Sequence, residues 1–130
     1  MFPVLHFSKD WNGKLRNSHF FTIRLHKNYW KKHVGKIVKI KLKGSYLGVA
    51  YLYYVDTETF RNLPEFFVEL DTGMKKEEAY QLFHRMYSRK PQWKDMETLF
   101  DVLFLFWWGV GWETEPWAKY QNLGGDLNAE

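Results

Sequence analysis

The residues best suited to chemistry lie in one basic segment, HFFTIRLHKNYWKKHVGKIVKIKLK, at residues 19–43. Thr22 and Arg24 form a Thr-x-Arg pair whose side chains share one face of an extended strand. A threonine hydroxyl becomes a useful nucleophile only beside a base, and the neutral imidazole of His19 can serve as one near pH 7. The guanidinium of Arg24 can fork onto a phosphate or a carbonyl oxygen. The segment therefore predicts either a basic surface or the floor of a site for an anion.

A second group of candidates combines aromatic rings with cations. Rings bind nucleobases by their π-faces while neighbouring cations bind the backbone, and a Tyr-Trp pair followed by two lysines fits that use. The strand KIVKIKLK adds a face of three lysines. The predicted ligand-binding residues are Arg24, Tyr29, Trp30, Lys31, Lys32, Lys39, Lys41 and Lys43.

Each candidate also has a purely structural explanation, which the sequence leaves open. Thr22 is a β-compatible strand residue, and Arg24 could cap the end of a barrel or pair with a carboxylate. His19 could be an ordinary loop residue. Lysines on an exposed strand face keep a protein soluble and blunt its sheet edges, so the lysine face does not by itself predict a nucleic-acid partner.

Composition and charge narrow the classes of function. The chain has 130 residues and no cysteine, which excludes disulfides, thiol catalysis and Cys-ligated zinc. No histidine–carboxylate pair has the spacing of a metal site and no Gly-rich phosphate loop is found, so we expect no metal and no cofactor. Residues 1–61 hold 12 Lys and Arg against 3 Asp and Glu, whereas residues 62–130 hold 7 against 12. The basic half favours a phosphate-bearing partner.

Length and hydropathy predict the organisation of the chain. The N-terminus lacks the pattern of a secretory signal, and the apolar run at residues 99–110 is too short to span a bilayer. We therefore expect a cytoplasmic protein with no membrane partner. The length predicts one domain over residues 1–123, including an aromatic C-terminal extension, followed by a frayed tail at 124–130.

Alternating side chains predict strands in the first half of the chain. In KIVKIKLK, Val38, Ile40 and Leu42 share one face and the lysines share the other, which predicts a half-buried antiparallel strand. The dipeptide GS at 44–45 predicts a Gly-first turn, and YLGVAYLYYV after it is predicted to form a second strand. PVLHF and FFTIRLH are also predicted strands, and METLFDVLFLFWW predicts a long buried one.

Two helices are predicted in the second half. NLPEFFVEL keeps its apolar residues at helical spacing and opens with Asn62 and Glu65 as a capping pair, and DTG at 71–73 ends it. KKEEAYQLFHRMY carries one apolar stripe. The order of elements predicts a mixed α+β, β-rich fold: a small open β-barrel of five to six mainly antiparallel strands with two short helices.

Four segments together resemble the ASCH domain of the PUA-like superfamily in their motifs, order and spacing. They are HFFTIR (19–24), HVGKIVKIKL (33–42), YLGVAYLYYV (46–55) and EEAYQLFHRMY (77–87). In that family a small PUA-like β-barrel begins with a Lys-x-x-Thr-x-Arg strand, and an acidic helix precedes the closing strand. The resemblance covers residues 15–107. It implies a cleft, lined by the motif strand and the acidic helix, that accepts RNA or a modified nucleoside.

The resemblance also implies roles for individual residues. Thr22 and Arg24 match the family's Thr and Arg, and Glu78 lies where the helix carries its acidic residue. Some family members hydrolyse the acetyl amide of N4-acetylcytidine with a Lys, a Thr and a Glu. The lysine position is His19 in this chain, and the family's Asp after Gly is Lys36. The candidate catalytic residues are therefore Thr22, His19 and Glu78.

Three functions remain open from the sequence. The first, which the abundant cations favour, is a module that binds RNA or a modified nucleotide in the cleft. The second is an amidohydrolase that acts on N4-acetylcytidine or a related acylated nucleoside. The third is a protein-interaction adaptor whose exposed rings and strand edges bind a partner. A small Cys-free domain of this kind would suit a phage or bacterial accessory protein.

Overall fold

The computed structural model describes residues 2–108, so the predicted aromatic extension after 108 and the tail at 124–130 lie outside the described residues. The described chain forms five strands, three α-helices and two 3-10 helices. The strands are β1 (Val4–Phe7), β2 (His19–Leu25), β3 (Lys36–Leu42), β4 (Ser45–Thr59) and β5 (Leu99–Trp107). The α-helices are α1 (Asn28–Lys31), α2 (Glu65–Thr72) and α3 (Lys76–Tyr87), and the 3-10 helices are Trp11–Arg16 and Asp95–Glu97.

The five strands form one curled sheet in the order β1-β3-β4-β5-β2. β1 and β3 are parallel, and the other neighbours are antiparallel. The sheet curls so that its two edge strands meet. Nη1 of Arg24 on β2 donates a hydrogen bond of 2.8 Å to the carbonyl oxygen of His6 on β1. The rings of Phe7 and Phe20 also meet across this gap, 6.3 Å apart. This half-barrel with its helices confirms the predicted mixed α+β fold.

Side-chain burial along β3 agrees with the predicted inner face but not with the predicted lysine face. Val38 and Ile40 are completely buried, as expected for residues inside the half-barrel. Lys39 is also buried, with 4% of its surface exposed, and Lys41 is half-buried. The predicted row of exposed lysines is therefore wrong at Lys39, and of the three only Lys43, in the turn after β3, is exposed.

The hairpin between β3 and β4 turns one residue earlier than predicted. Leu42 pairs with Ser45, so the two turn residues are Lys43 and Gly44 rather than Gly44 and Ser45. Both have positive φ, 52° and 81°. Positive φ at both positions is the requirement of a type I′ turn, whose twist matches that of the flanking strands.

Two hydrophobic cores lie on opposite faces of the sheet. The inner core contains buried side chains from all five strands. The outer core packs Ile23 of β2 and Phe100 of β5 against Val68 of α2 and Phe83 of α3. Because successive side chains of a strand point to opposite faces, β2 buries Ile23 beneath the helices and turns Thr22 toward the inside of the half-barrel.

The two predicted helices and the last predicted strand form close to their expected positions. The predicted Asn62–Glu65 capping pair is wrong, because α2 begins at Glu65 with Pro64 at its N-cap and without a side-chain capping bond. α2 ends at Thr72, and the following Gly73 adopts a left-handed conformation with φ of 75°, as is common for a glycine after a helix. The last two residues of α2, Asp71 and Thr72, are buried. Within residues 2–108, no helix has the length and apolar character needed to cross a membrane.

Candidate functional site

A cleft lies between the two edge strands of the half-barrel, with α3 on one side. It has an inner chamber of about 70 Å³ and an outer chamber of about 240 Å³. His6, Arg24 and Tyr87 line both chambers, so the two are parts of one cleft. The inner chamber is lined by three charged side chains, Lys14, Arg24 and Asp71, and by the hydroxyl of Thr22. Its other polar lining residues are His6, Ser8, Thr72 and Tyr87.

Thr22 and Arg24 face the inner chamber from β2. Thr22 is buried, with 3% of its surface exposed, and its Oγ1 accepts a hydrogen bond of 3.2 Å from Nε of Arg24. The guanidinium carbon of Arg24 lies 4.6 Å from the centre of the Phe7 ring, which is a cation–π contact. Burial lowers the pKa of Arg24 to about 10, so the group remains charged at neutral pH. Arg24 is therefore a positive charge fixed next to the Thr22 hydroxyl.

Lys14 and Asp71 form a buried ion pair at the inner end of the cleft. Nζ of Lys14, on the first 3-10 helix, donates a hydrogen bond to Oδ1 of Asp71 at the end of α2, and both side chains are almost wholly buried. Oδ2 of Asp71 accepts a hydrogen bond of 3.2 Å from the backbone N–H of Ile23. This second bond ties the carboxylate to the strand that carries Thr22, and thereby positions Lys14 beside that strand.

The environment of Lys14 lowers its pKa from 10.5 to about 7. Burial is the largest cause because it disfavours the ammonium form, and the positive charge of Arg24 adds to it, while the Asp10 carboxylate acts in the opposite direction. At neutral pH the side chain is therefore present as both the amine and the ammonium. A lysine in that state can accept or donate a proton during a reaction.

The structure does not assemble the three predicted catalytic residues. Thr22 lines the cleft, whereas His19 and Glu78 line neither chamber. His19 stands three residues before Thr22, so it points to the opposite face of β2, where its ring packs against other rings. Glu78 is exposed in the first turn of α3. The amine and the carboxylate that accompany Thr22 in the cleft come from Lys14 and Asp71.

The predicted ligand-binding residues are also dispersed. Arg24 and the buried Trp30 line the outer chamber. Tyr29 is exposed and packs edge-on against Trp30, with 4.9 Å between ring centres. Lys39 is buried. The other predicted cations, none of which lines either chamber, are Lys31, Lys32, Lys41 and Lys43.

Four charged residues of the cleft escaped prediction: Lys14 and Asp71 in the inner chamber, Lys27 and Lys90 in the outer one. Lys14 and Asp71 are 57 positions apart and meet only because the 3-10 helix packs against the end of α2. No spacing rule joins such residues. The sequence contains one indication of a role for Asp71. It comes directly after Leu70 at the end of a predicted helix, where a carboxylate is unfavourable.

Two of the exposed rings that an adaptor could use lie side by side on β4. Tyr53 and Tyr54 are 41% and 53% exposed, at an irregularity in the pairing of β4 with β5. Their rings lie 6.3 Å and 5.6 Å from that of Phe104 on β5. These rings form an aromatic surface that is separate from the cleft.

The chain matches no protein-family model, and neither a curated protein nor a solved structure matches it. Among the described residues, no group of three His, Asp or Glu side chains could hold a metal ion. The geometry of the cleft therefore carries the functional argument.

Proposed function

We propose that the cleft is the active site of an amidohydrolase that removes an acyl group from the amine of a nucleoside base. The observation that carries the proposal is geometric: the buried Lys14 donates a hydrogen bond to a carboxylate and lines the same chamber as a hydroxyl and a guanidinium. Burial also lowers the pKa of Lys14 to about 7. Ionisable groups that are strongly shifted by burial and by charged neighbours, in a cleft, are candidates for catalysis.

Each side chain has a role in a two-step reaction. The Lys14 amine takes the proton of the Thr22 hydroxyl as its oxygen attacks the acyl carbon, and Arg24 stabilises the negative charge on the carbonyl oxygen. The Lys14 ammonium gives the proton to the departing amine as the C–N bond breaks, which leaves an ester on Thr22. Water then attacks the ester, giving one proton to Lys14, which returns it to Thr22 as the carboxylic acid leaves. Asp71 holds Lys14 in place throughout.

The resemblance to ASCH domains supports this class of substrate. In some members of that family a lysine, a threonine and a glutamate hydrolyse the acetyl amide of N4-acetylcytidine. In this chain an amine, a hydroxyl and a carboxylate line one chamber as Lys14, Thr22 and Asp71. The same functional groups are therefore available from different sequence positions, although His19 occupies the lysine position of the motif.

The dimensions of the cleft agree with an acylated nucleoside. The inner chamber, at about 70 Å³, has room for a small acyl group but not for a base and a sugar, which would occupy the outer chamber. Together the chambers reach the lower end of the roughly 300–1,000 Å³ typical of small-molecule sites. Trp30 and Tyr87 line the outer chamber and offer aromatic surface to a base.

Binding of RNA or a modified nucleotide without hydrolysis is the second candidate function. The observation that favours it is the basic lining of the outer chamber, which includes Arg24, Lys27 and Lys90. In this case the inner chamber would select a modified base and the cations would bind the backbone. The two candidates make the same use of the cleft and differ in whether the acyl group is released.

The substitution Thr22→Val tests the proposal. Valine keeps the shape and the strand preference of threonine, so the fold should survive. Release of cytidine from N4-acetylcytidine, followed by liquid chromatography, should fall by at least about 10²-fold. Glu78→Gln is the matched control, because Glu78 is exposed and lines neither chamber, and it should keep wild-type turnover.

Two results would count against the reaction. Equal turnover by the wild type and Thr22→Val would remove Thr22 from the chemistry. Saturable binding of N4-acetylcytidine by the wild type with no release of cytidine would favour the second candidate.

A further inference from the structure

The outer chamber carries positive charge that the proposed reaction does not use. Lys27 and Lys90 line it together with Arg24, and none of the described residues that line it is acidic. The walls between the cations are largely apolar, with Trp30 as the largest side chain. Cations of one sign around a concavity with apolar walls focus the electrostatic field and attract an anion.

A buried carboxylate fixes the backbone on one side of this chamber. Asp101 on β5 is completely buried, and its Oδ2 accepts a hydrogen bond of 3.0 Å from the backbone N–H of Lys27. Its Oδ1 accepts a hydrogen bond of 2.7 Å from the Thr57 hydroxyl and lies 2.8 Å from Nδ1 of His26. Asp101 therefore holds the junction between β2 and α1, from which the Lys27 side chain extends, without itself lining the chamber.

The third cation comes from a separate part of the chain. Lys90 lies in the turn after α3, where its N–H donates a hydrogen bond of 2.9 Å to the carbonyl oxygen of Tyr87. Its own carbonyl oxygen accepts a hydrogen bond of 3.0 Å from the N–H of Trp93. The β2–α1 junction and the turn after α3, both held by backbone hydrogen bonds, thus place Lys27 and Lys90 at the chamber that Arg24 also lines. Such preorganisation reduces the entropy lost when a ligand binds.

We propose that the outer chamber binds a phosphate group of the substrate, so that the substrate is a nucleotide or an RNA strand rather than a free nucleoside. Lys27 and Lys90 would make charge-assisted hydrogen bonds to the phosphate oxygens. The placement of the acyl group in the inner chamber and of the base at the entrance to the outer chamber rests on the proposed function, whereas binding of a phosphate in the outer chamber does not. A terminal monophosphate and an internal phosphodiester offer the same chemistry, and the test separates them.

The test compares cytidine with cytidine 5′-monophosphate by isothermal titration calorimetry at low salt. Neither compound carries an acyl group, so the result is independent of turnover. We expect the monophosphate to bind at least about tenfold more tightly, because hydrogen bonds between charged groups are stronger than neutral ones. The difference should shrink as salt is added, since exposed charges are screened.

Two double variants test whether Lys27 and Lys90 produce the preference for the monophosphate. Lys27→Gln/Lys90→Gln should bind the two compounds equally, with the affinity for cytidine unchanged. Lys31→Gln/Lys32→Gln is the matched control, because it removes the same charge from exposed residues that line neither chamber. The control should keep the preference for the monophosphate.

Three results would overturn the proposal: no binding of the monophosphate, equal binding of both compounds, or a preference that survives in Lys27→Gln/Lys90→Gln. A preference for the monophosphate without turnover of N4-acetylcytidine would support the phosphate site and contradict the proposed reaction. A short oligonucleotide with an internal cytidine identifies the source of the phosphate. It should displace the monophosphate if the chamber accepts a diester, and should fail to do so if the chamber requires a terminal group.

Discussion

The buried Lys14 predicts a distinctive dependence of folding stability on pH. Its pKa is about 7 in the folded protein, against an ordinary value of 10.5, which we take for the unfolded chain. Between these values the unfolded chain holds a proton at this position that the folded protein has lost. The free energy of unfolding should therefore rise with pH across this window. Below pH 7 the side chain is charged in both states, and the cost of burying the ammonium is fully present.

The expected size of this effect follows from the two pKa values. Each pH unit in which the unfolded chain holds one extra proton adds about 1.4 kcal/mol to the free energy of unfolding. Because the folded protein is still half protonated at pH 7, the gain from Lys14 between pH 7 and pH 9 should be about 2 kcal/mol. This is a large part of the roughly 5–15 kcal/mol that stabilises a typical domain.

Urea denaturation followed by circular dichroism can measure this gain. The reference is Lys14→Met/Asp71→Asn, which removes both charges and so avoids leaving one of them buried without its partner. Subtracting the profile of the reference from that of the wild type removes the contributions of the other titrating groups. The difference should increase by about 2 kcal/mol from pH 7 to pH 9.

Parallel profiles for the two proteins would refute this reasoning. They would show that the attraction of Asp71 outweighs burial, because a Lys14 that is charged in both states contributes no difference between pH 7 and pH 9. A wild type that loses stability relative to the reference in this window would also refute it.

Three further predictions concern the core, the hairpin and the reaction. Ile40→Ala should lower the free energy of unfolding by about 2–5 kcal/mol, because the side chain is completely buried; a loss below about 1 kcal/mol in urea denaturation would contradict the inner core. Gly44→Ala should cost about 1 kcal/mol and lower the thermal midpoint, because φ is +81° while nothing lies within 4 Å of the added Cβ; an unchanged midpoint would count against the turn. Lys14→Met should reduce release of cytidine from N4-acetylcytidine by at least about 10²-fold. Lys36→Met is the control, because Lys36 is exposed and lies outside the cleft, and it should keep wild-type turnover. Equal losses in the two variants would exclude a specific role for Lys14.

The parts of the fold that depend on local periodicity could be predicted from the sequence. The alternation of Val38 and Ile40 with lysines located β3 and its inner face, and the apolar stripe of KKEEAYQLFHRMY located α3. The hairpin register could not be fixed in this way, because Lys43 adopts positive φ, which the sequence gives little reason to expect of a lysine. Alternation predicts which residues share a face but not how far that face is covered, so it does not predict the burial of Lys39.

Two of the four side chains that the proposed reaction uses, Thr22 and Arg24, could be predicted, because they are close together in the sequence. Thr22 and Arg24 are two residues apart on one strand, so period-two geometry places them on the same face. Lys14 and Asp71 come from a 3-10 helix and from the end of α2, and only the tertiary packing of these elements against β2 brings them together. His19 occupies the lysine position of the motif, but the same alternation places it on the face of β2 opposite Thr22.

The pH dependence of kcat/KM for N4-acetylcytidine tests most directly whether Lys14 is the base of the reaction. If the Lys14 amine takes the proton of Thr22, kcat/KM should rise with pH and level off above an apparent pKa of about 7. Histidines can titrate in the same range, and His6 lines both chambers, so the profile should be measured in parallel for His6→Asn, where we expect the rise at the same pH. A rise that disappears in His6→Asn, or a kcat/KM that is constant from about pH 6 to pH 9, would contradict the assignment of Lys14.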